Sequence, residues 1–226
     1  MEKLVFFCRR RPDITHAEYE RRLLEGHVPL ALRHHPTLRR YTVNIVDESP
    51  HGWEALDSIG ELFFDTFEDF RERLYDSPEG EKIIHRDVAG FMGAVTCYRV
   101  EEYVQLVSLP DPVPGERTPG VKFVCPLVRR DGIGHGEFVR HWIERHVPLV
   151  VEHHRGLVRY VTNVVAGKLS GDGPELDGIA ELHFASETTD LANSFDSPEG
   201  ERRVREDIAR FIGRAAAYRV REFRQK

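Results

Sequence analysis

Apolar positions along the chain switch between a period of two and a period near 3.6, and the order of the switches is written twice. Lys3 to Arg9 is rich in β-formers and predicts a strand. Thr15-x-x-Glu18 is a capping-box sequence opening a helix that should run to about His35, with a kink at Pro29. Arg39 to Val46 alternates as a second strand, and Ser58 to Phe64, beyond a Pro/Gly loop, as a third. Phe67 to Tyr75 reads as a short helix. Ser77-Pro78 supplies an N-cap and a first-turn proline for a second helical piece ending near Gly90 or Gly93, and Ala94 to Tyr103 closes the unit as a strand. The predicted order is βαββαβ.

The same order returns about 120 residues later. Glu25-Gly26-His27-Val28-Pro29-Leu30, with His34-His35 behind it, reappears as Glu144-Arg145-His146-Val147-Pro148-Leu149 with His153-His154, and Arg40-Tyr41-Thr42-Val43-Asn44 as Arg159-Tyr160-Val161-Thr162-Asn163. Asp76-Ser77-Pro78-Glu79-Gly80-Glu81 and residues 196–201 are identical, one residue having been inserted in the preceding loop. The period far exceeds that of solenoid repeats, so the expected organisation is two fused domains, 1–106 and 120–226, joined by a Pro-rich, semi-extended linker over 107–119. A βαββαβ unit forms a four-stranded antiparallel sheet with both helices on one face, the ferredoxin-like split βαβ. Its other face is bare. Two tethered units can bury those faces against each other, so the expected fold is α+β: two ferredoxin-like units fused into a pseudo-dimeric α+β barrel within one chain, with further homodimerisation left open.

Composition narrows the class. Of 226 residues, 40% are hydrophobic and 31% charged, ordinary for a globular protein. The net charge of −6 is mild and its signs are interleaved, which argues against a nucleic-acid partner. No apolar run approaches the ~18 residues of a membrane span. Cys8, Cys97 and Cys125 are odd in number and lack C-x-x-C spacing, which fits a reducing, cytoplasmic setting.

Candidate chemistry centres on the repeated histidine. Positions 19, 23, 27, 31 and 34 form one helical stripe: Tyr19, Leu23, His27, Ala31, His34 in the first copy, and Phe138, Trp142, His146, Val150, His153 in the second. His27 and His146 therefore lie among apolar residues facing the sheet, either as core histidines bonded to backbone carbonyls or as general acid/bases lining a pocket. Glu61 and Glu181 follow an aliphatic run in the third strand. They could orient the histidines or pair with an arginine such as Arg40 or Arg99. Tyr41/Tyr160 and Asn44/Asn163 are three apart on the second strand, so parity lets at most one of each pair share the histidine's pocket. His183 stands where the first copy has Phe63, beside Glu181 on one strand face, a divergence that could mark the second copy as active or be a surface change. Metal is not expected: His27/His34 and His146/His153 are seven apart rather than four, and no third ligand fits. Nucleotide-binding and serine-hydrolase motifs are absent, so no cofactor is expected.

Taken together, a strand, Thr-x-x-Glu-Tyr, His-Val-Pro-Leu, Arg-Tyr-x-x-Asn, Asp-Gly-x-Ala-Glu-Leu-x-Phe and Ser-Pro-Glu-Gly resemble the EthD family of the dimeric α/β-barrel superfamily, over both halves of the chain. The resemblance implies a ligand cavity near His27 and His146 and a role in small-molecule catabolism or natural-product tailoring. The expectation is a cofactor-independent enzyme moving a proton (dehydratase, isomerase, decarboxylase) or acting as an oxygenase on a hydrophobic, aromatic or polyketide-like compound. His27, His146, Glu61 and Glu181 would be catalytic, and Tyr41, Asn44, Tyr160, Asn163, Trp142 and His183 would bind ligand. The alternative is a non-catalytic ligand-binding or accessory protein, and a third reading is a haem or metal binder.

Overall fold

The computed structural model describes residues 1–110 and 112–226; Asp111 of the linker lies outside them. In the first copy β1 (Glu2–Arg10) leads to α1 (His16–Arg21), a π-helical segment (Arg22–His27) and α2 (Val28–His34). β2 (Arg40–Glu48), β3 (Ser58–Phe64), α3 (Phe67–Arg71), α4 (Pro78–Phe91) and β4 (Met92–Val107) follow. The second copy has β5 (Val121–Arg129), α5 (His135–His141), a π-helical segment (Trp142–His146), α6 (Val147–His153), β6 (Leu157–Ser170) and β7 (Gly178–Phe184). It ends with a 3-10 turn (Leu191–Asn193), α7 (Pro198–Phe211), β8 (Ile212–Ala215) and β9 (Tyr218–Arg224).

The expected kink at each proline takes another form. In an α-helix the ring of Pro29 would strike the carbonyl four residues back. The chain instead widens: Val28 donates to Leu23 O and Val147 to Trp142 O, a five-residue closure, and the helix resumes with the proline in its first turn. The capping box is half made, since Thr15 accepts from Glu18 N while the Glu18 side chain turns to Arg21 and Arg22. The short helix expected over 67–75 stops at Arg71, and in the second copy only the 3-10 turn stands there.

All strand pairings are antiparallel, in the order β7-β6-β4-β1-β3-β2-β9-β5, and β5 pairs back onto β7. An eight-stranded barrel closes, with β8 prolonging the β9 side along β5. Its two seams are equivalent, because the second strand of each copy pairs with the last strand of the other (β2 with β9, β6 with β4). Within the described part of the linker, Gly115 N and Thr118 N donate to Arg224 O and Glu222 O, which lays that stretch along β9.

Period-two alternation sorts the strand residues into three cores. Leu4, Cys8, Tyr41, Val43 and Phe64 pack under the helices of the first copy. Cys125, Leu127, Tyr160, Ala180 and Phe184 do so in the second. Val5, Phe7, Ile59 and Tyr98 meet Val124, Val165, Ile179 and Tyr218 inside the barrel. The copies also exchange bulk between layers. Trp142 lies over Gly178, where an added Cβ would sit 2.3 Å from the indole, whereas the first copy has Leu23 and Ser58 at those positions. Gly178→Ser should therefore cost about 1–3 kcal/mol by overpacking, read as a lowered midpoint in urea unfolding.

Candidate active site

Each copy holds a cavity between its helices and its sheet. The one in the second copy measures about 490 Å³ and that in the first about 290 Å³. Their walls explain the difference. Phe70, Leu74 and Tyr75 line the first cavity, and their counterparts in the sequence repeat are Asp190, Ser194 and Phe195, of which Asp190 and Phe195 line the second. Two large apolar side chains are thus replaced by small polar ones. Trp142, Tyr160, Leu182, His146 and His154 are among the residues around the larger space.

His27 and His146 are buried, and both line these cavities. Neither is held by a backbone carbonyl. Nδ1 of His27 lies 2.9 Å from Asp87 Oδ2, and Nδ1 of His146 3.0 Å from Asp207 Oδ2. A carboxylate accepts from an N–H, so this contact places the ring proton on Nδ1 and leaves Nε2 as the basic nitrogen. Among the described residues no protein group hydrogen-bonds either Nε2. Burial alone would raise the Asp207 carboxyl, but hydrogen bonds from His146 and His141 outweigh it and hold the group below its ordinary range.

The cavity of the second copy offers further polar atoms. The Trp142 indole N–H donates to Tyr160 Oη at 3.0 Å, and indole nitrogen can only donate, so the phenol proton remains available. Ser194 Oγ donates to Leu191 O and therefore accepts from Nδ1 of His154 at 2.6 Å, leaving Nε2 of His154 unprotonated. Burial, reinforced by the neighbouring His146 and His153, pushes His154 down to about 4, so it is neutral at physiological pH. Four further histidines pair with aspartates and line neither cavity. His34 and His153 pair with Asp76 and Asp196, and His16 and His135 with Asp57 and Asp177.

Glu61 and Glu181 do not join the histidines. In β3, Ser58, Gly60 and Leu62 face the first cavity, so Glu61 points into the barrel. There Lys3 Nζ lies 2.7–2.8 Å from Glu61, Glu102 and Glu181, and Lys122 Nζ 2.6–2.8 Å from Glu61, Glu181 and Glu222. Neither arginine that the sequence offered as a partner of Glu61 pairs with it: Arg40 bonds Glu102 and Arg99 bonds Glu2, while Arg159 bonds Glu222. Lys3, Lys122, Arg40 and Arg159 thus form one largely buried cluster with Glu61, Glu102, Glu181 and Glu222. Glu61, Glu102 and Glu181 come close enough to share a cation, and that cation is the Lys3 ammonium. Asn44 and Asn163 belong to this cluster as well, donating to Glu61 and Glu181. His183 also lies inside the barrel, with Nε2 donating to Pro119 O and Nδ1 facing Arg159, and burial pushes it down to about 4. Asn44, Asn163 and His183 therefore lie apart from the cavities that Tyr41, Tyr160 and Trp142 line.

Asp87 and Asp207 were not expected. A signal for them exists: both occupy the stripe of their helices that carries the buried Gly80, Ile84 and Phe91, or Gly200, Val204 and Phe211, an unusual place for a carboxylate.

The EthD domain family profile matches residues 11–94 and again 130–215. The chain belongs to the EthD domain family, in two copies. No curated protein matches the sequence. Among solved structures this EthD protein is similar to an anthrone oxidase-like protein (TM-score 0.63, 13% identity, covering 99% of this chain and 92% of that one). It is also similar to a candidate monooxygenase from Lactobacillus acidophilus NCFM (0.58, 10%, 100% and 94%). A variant chlorite dismutase from Candidatus Nitrospira defluvii follows (0.52, 10%, 97% and 90%). These likenesses are of fold, that of the dimeric α/β-barrel superfamily. No helix among the described residues is long and apolar enough to cross a membrane.

Proposed function

We propose that this EthD protein is a cofactor-independent enzyme acting on a hydrophobic small molecule in the cavity of its second copy, with His146 as general base. The observation that carries this reading is the placement of His146: Asp207 fixes Nδ1, and the ring lines a cavity of about 490 Å³. A proton taken from an acidic C–H or O–H of the ligand would pass to Nε2, and the Tyr160 hydroxyl would donate to the oxygen on which negative charge develops. Such a step begins an isomerisation, dehydration or decarboxylation, and equally the deprotonation that opens an oxygenation without cofactor. The names carried by the structural neighbours, anthrone oxidase-like and monooxygenase, favour the last of these. We read the two copies as ferredoxin-like units (1–106 and 120–226) fused into a pseudo-dimer, which the strand order within each supports.

The test uses deuterium oxide and a panel of enolisable ketones and phenols sized for the cavity. Carbon-bound deuterium, read by mass spectrometry, should accumulate in at least one of them. Asp190→Phe combined with Ser194→Leu restores the first copy's fillers and should stop the exchange without altering the circular dichroism spectrum. Exchange that continues in the filled protein would place the chemistry elsewhere.

A further inference from the structure

Asp207 carries an imidazole on each oxygen. His141 Nε2 lies 2.9 Å from Oδ1, and His146 Nδ1 lies 3.0 Å from Oδ2. Phe211 packs against both rings, with centroids 4.7 Å from His141 and 5.0 Å from His146. The first copy builds only half of this. Asp87 takes His27, and the position equivalent to His141 is Arg22, whose guanidinium turns away to Glu18 and to Gly90 O. The extra imidazole therefore accompanies the larger cavity.

We infer that His141 is a positioning residue of the second-copy site, taking the first proton that the His141–Asp207–His146 cluster binds and so keeping Nε2 of His146 unprotonated toward the cavity. The inference rests on the proposed role of His146 and says how that base is kept in its working form. A carboxylate and two imidazoles in contact titrate as a unit, and one added proton has two places to go. The His141 side chain is 19% exposed and that of His146 7%, so the charged ring is better solvated at His141. Once charged, His141 also neutralises Asp207, which removes the attraction that would favour an imidazolium at His146. Around His146, His154 is neutral and Trp142 and Tyr160 are uncharged. Of the charged residues that also line the cavity, Asp190 accepts from Ala192 N and Asn193, Arg205 pairs with Glu201, and Arg219 donates to Thr189 O. Neither these nor Glu48 pairs with His146, whose carboxylate partner is Asp207.

Histidine ring resonances, followed by NMR in the full chain as pH falls, test this directly. In the unmodified protein the His141 signals should move first and those of His146 later, each ring sensing the other's step. In His141→Gln, which keeps a donor for Asp207, the His146 transition should move to higher pH by roughly one unit, a tenfold gain in proton affinity. The acid limb of any activity should move with it. If His146 moves first in the unmodified protein, or its transition is unchanged by His141→Gln, the inference is wrong. The unmodified protein decides the first point even if the variant fails to fold. Neither readout needs turnover, so a failure of the catalytic reading would be seen separately, in the exchange experiment.

Discussion

Turnover or deuterium exchange by His146→Gln is expected to fall by roughly 10²–10⁴-fold, the usual contribution of a positioned general base, while His27→Gln changes it no more than a few-fold. The contrast follows from the walls of the two cavities. Both histidines have an aspartate on Nδ1 and line a cavity, so sequence and local geometry alone would treat them alike. Phe70 and Leu74 leave about 290 Å³ beside His27, against about 490 Å³ beside His146. Trp142, which donates to Tyr160, has Leu23 as its counterpart, so the Tyr41 hydroxyl has no equivalent donor. Single-turnover rates for the two variants, with melting curves to show that both remain folded, provide the measurement. Equal losses would mean that both cavities work, and a loss confined to His27→Gln would reverse the assignment.

Glu61→Leu should destabilise the protein by about 3–5 kcal/mol, because it leaves the buried Lys3 and Lys122 ammonium groups short of a counter-charge. Combining it with Lys122→Met should recover much of that loss, since a buried ion pair replaced by apolar groups of similar volume is often close to neutral. Urea unfolding of the single and double variants gives the coupling directly. A single variant within about 1 kcal/mol of the parent would show that the cluster is screened by water and not isolated in the barrel. The same cluster sets a pH window. Burial opposes ionisation of Glu61, Glu102 and Glu222, but the surrounding lysines and arginines win and hold all three below the ordinary carboxylate range. Their contribution is present above that range and is lost as pH falls through the depressed values. Lys3 and Lys122 are shifted up: burial would lower them, but the glutamates outweigh it. Their contribution is present below the ordinary lysine value of 10.5 and is lost only as pH rises past the raised ones. The cluster's contribution should accordingly be flat from roughly pH 5 to 10. His154 and His183, both held down at about 4, remove stability as pH falls below the ordinary histidine value of 6.5, so the loss in acid begins there.

The architecture was legible because period and repetition are backbone-level signals. Strand alternation, the Ser-Pro helix starts and the twice-written order are enough to lay out the elements and to suggest two sheets packed face to face. Parity also separated Tyr41 from Asn44. What the sequence hid was which face is which. Glu61 and Glu181 suit a histidine partner on paper, and only register places them beside Lys3 and Lys122, residues 58 and 61 positions away from Glu61. A lysine second in a strand and a glutamate fourth in another look like surface charges until the barrel closes over them. Asp87 and Asp207 were hidden for the opposite reason: they sit in charged helical segments, and their stripe position was the only clue.

The differing cavities follow from the two copies sharing one chain. In an assembly of identical subunits every substitution is made twice, so widening one pocket widens its mate and both sites change together. Here Trp142 and Gly178 stand where the other copy has Leu23 and Ser58, and His141 where it has Arg22, so the two sides differ independently. The first copy has the smaller cavity and supplies half of each seam, so a fold that is twofold in outline can specialise one binding site while the other keeps a plain structural duty.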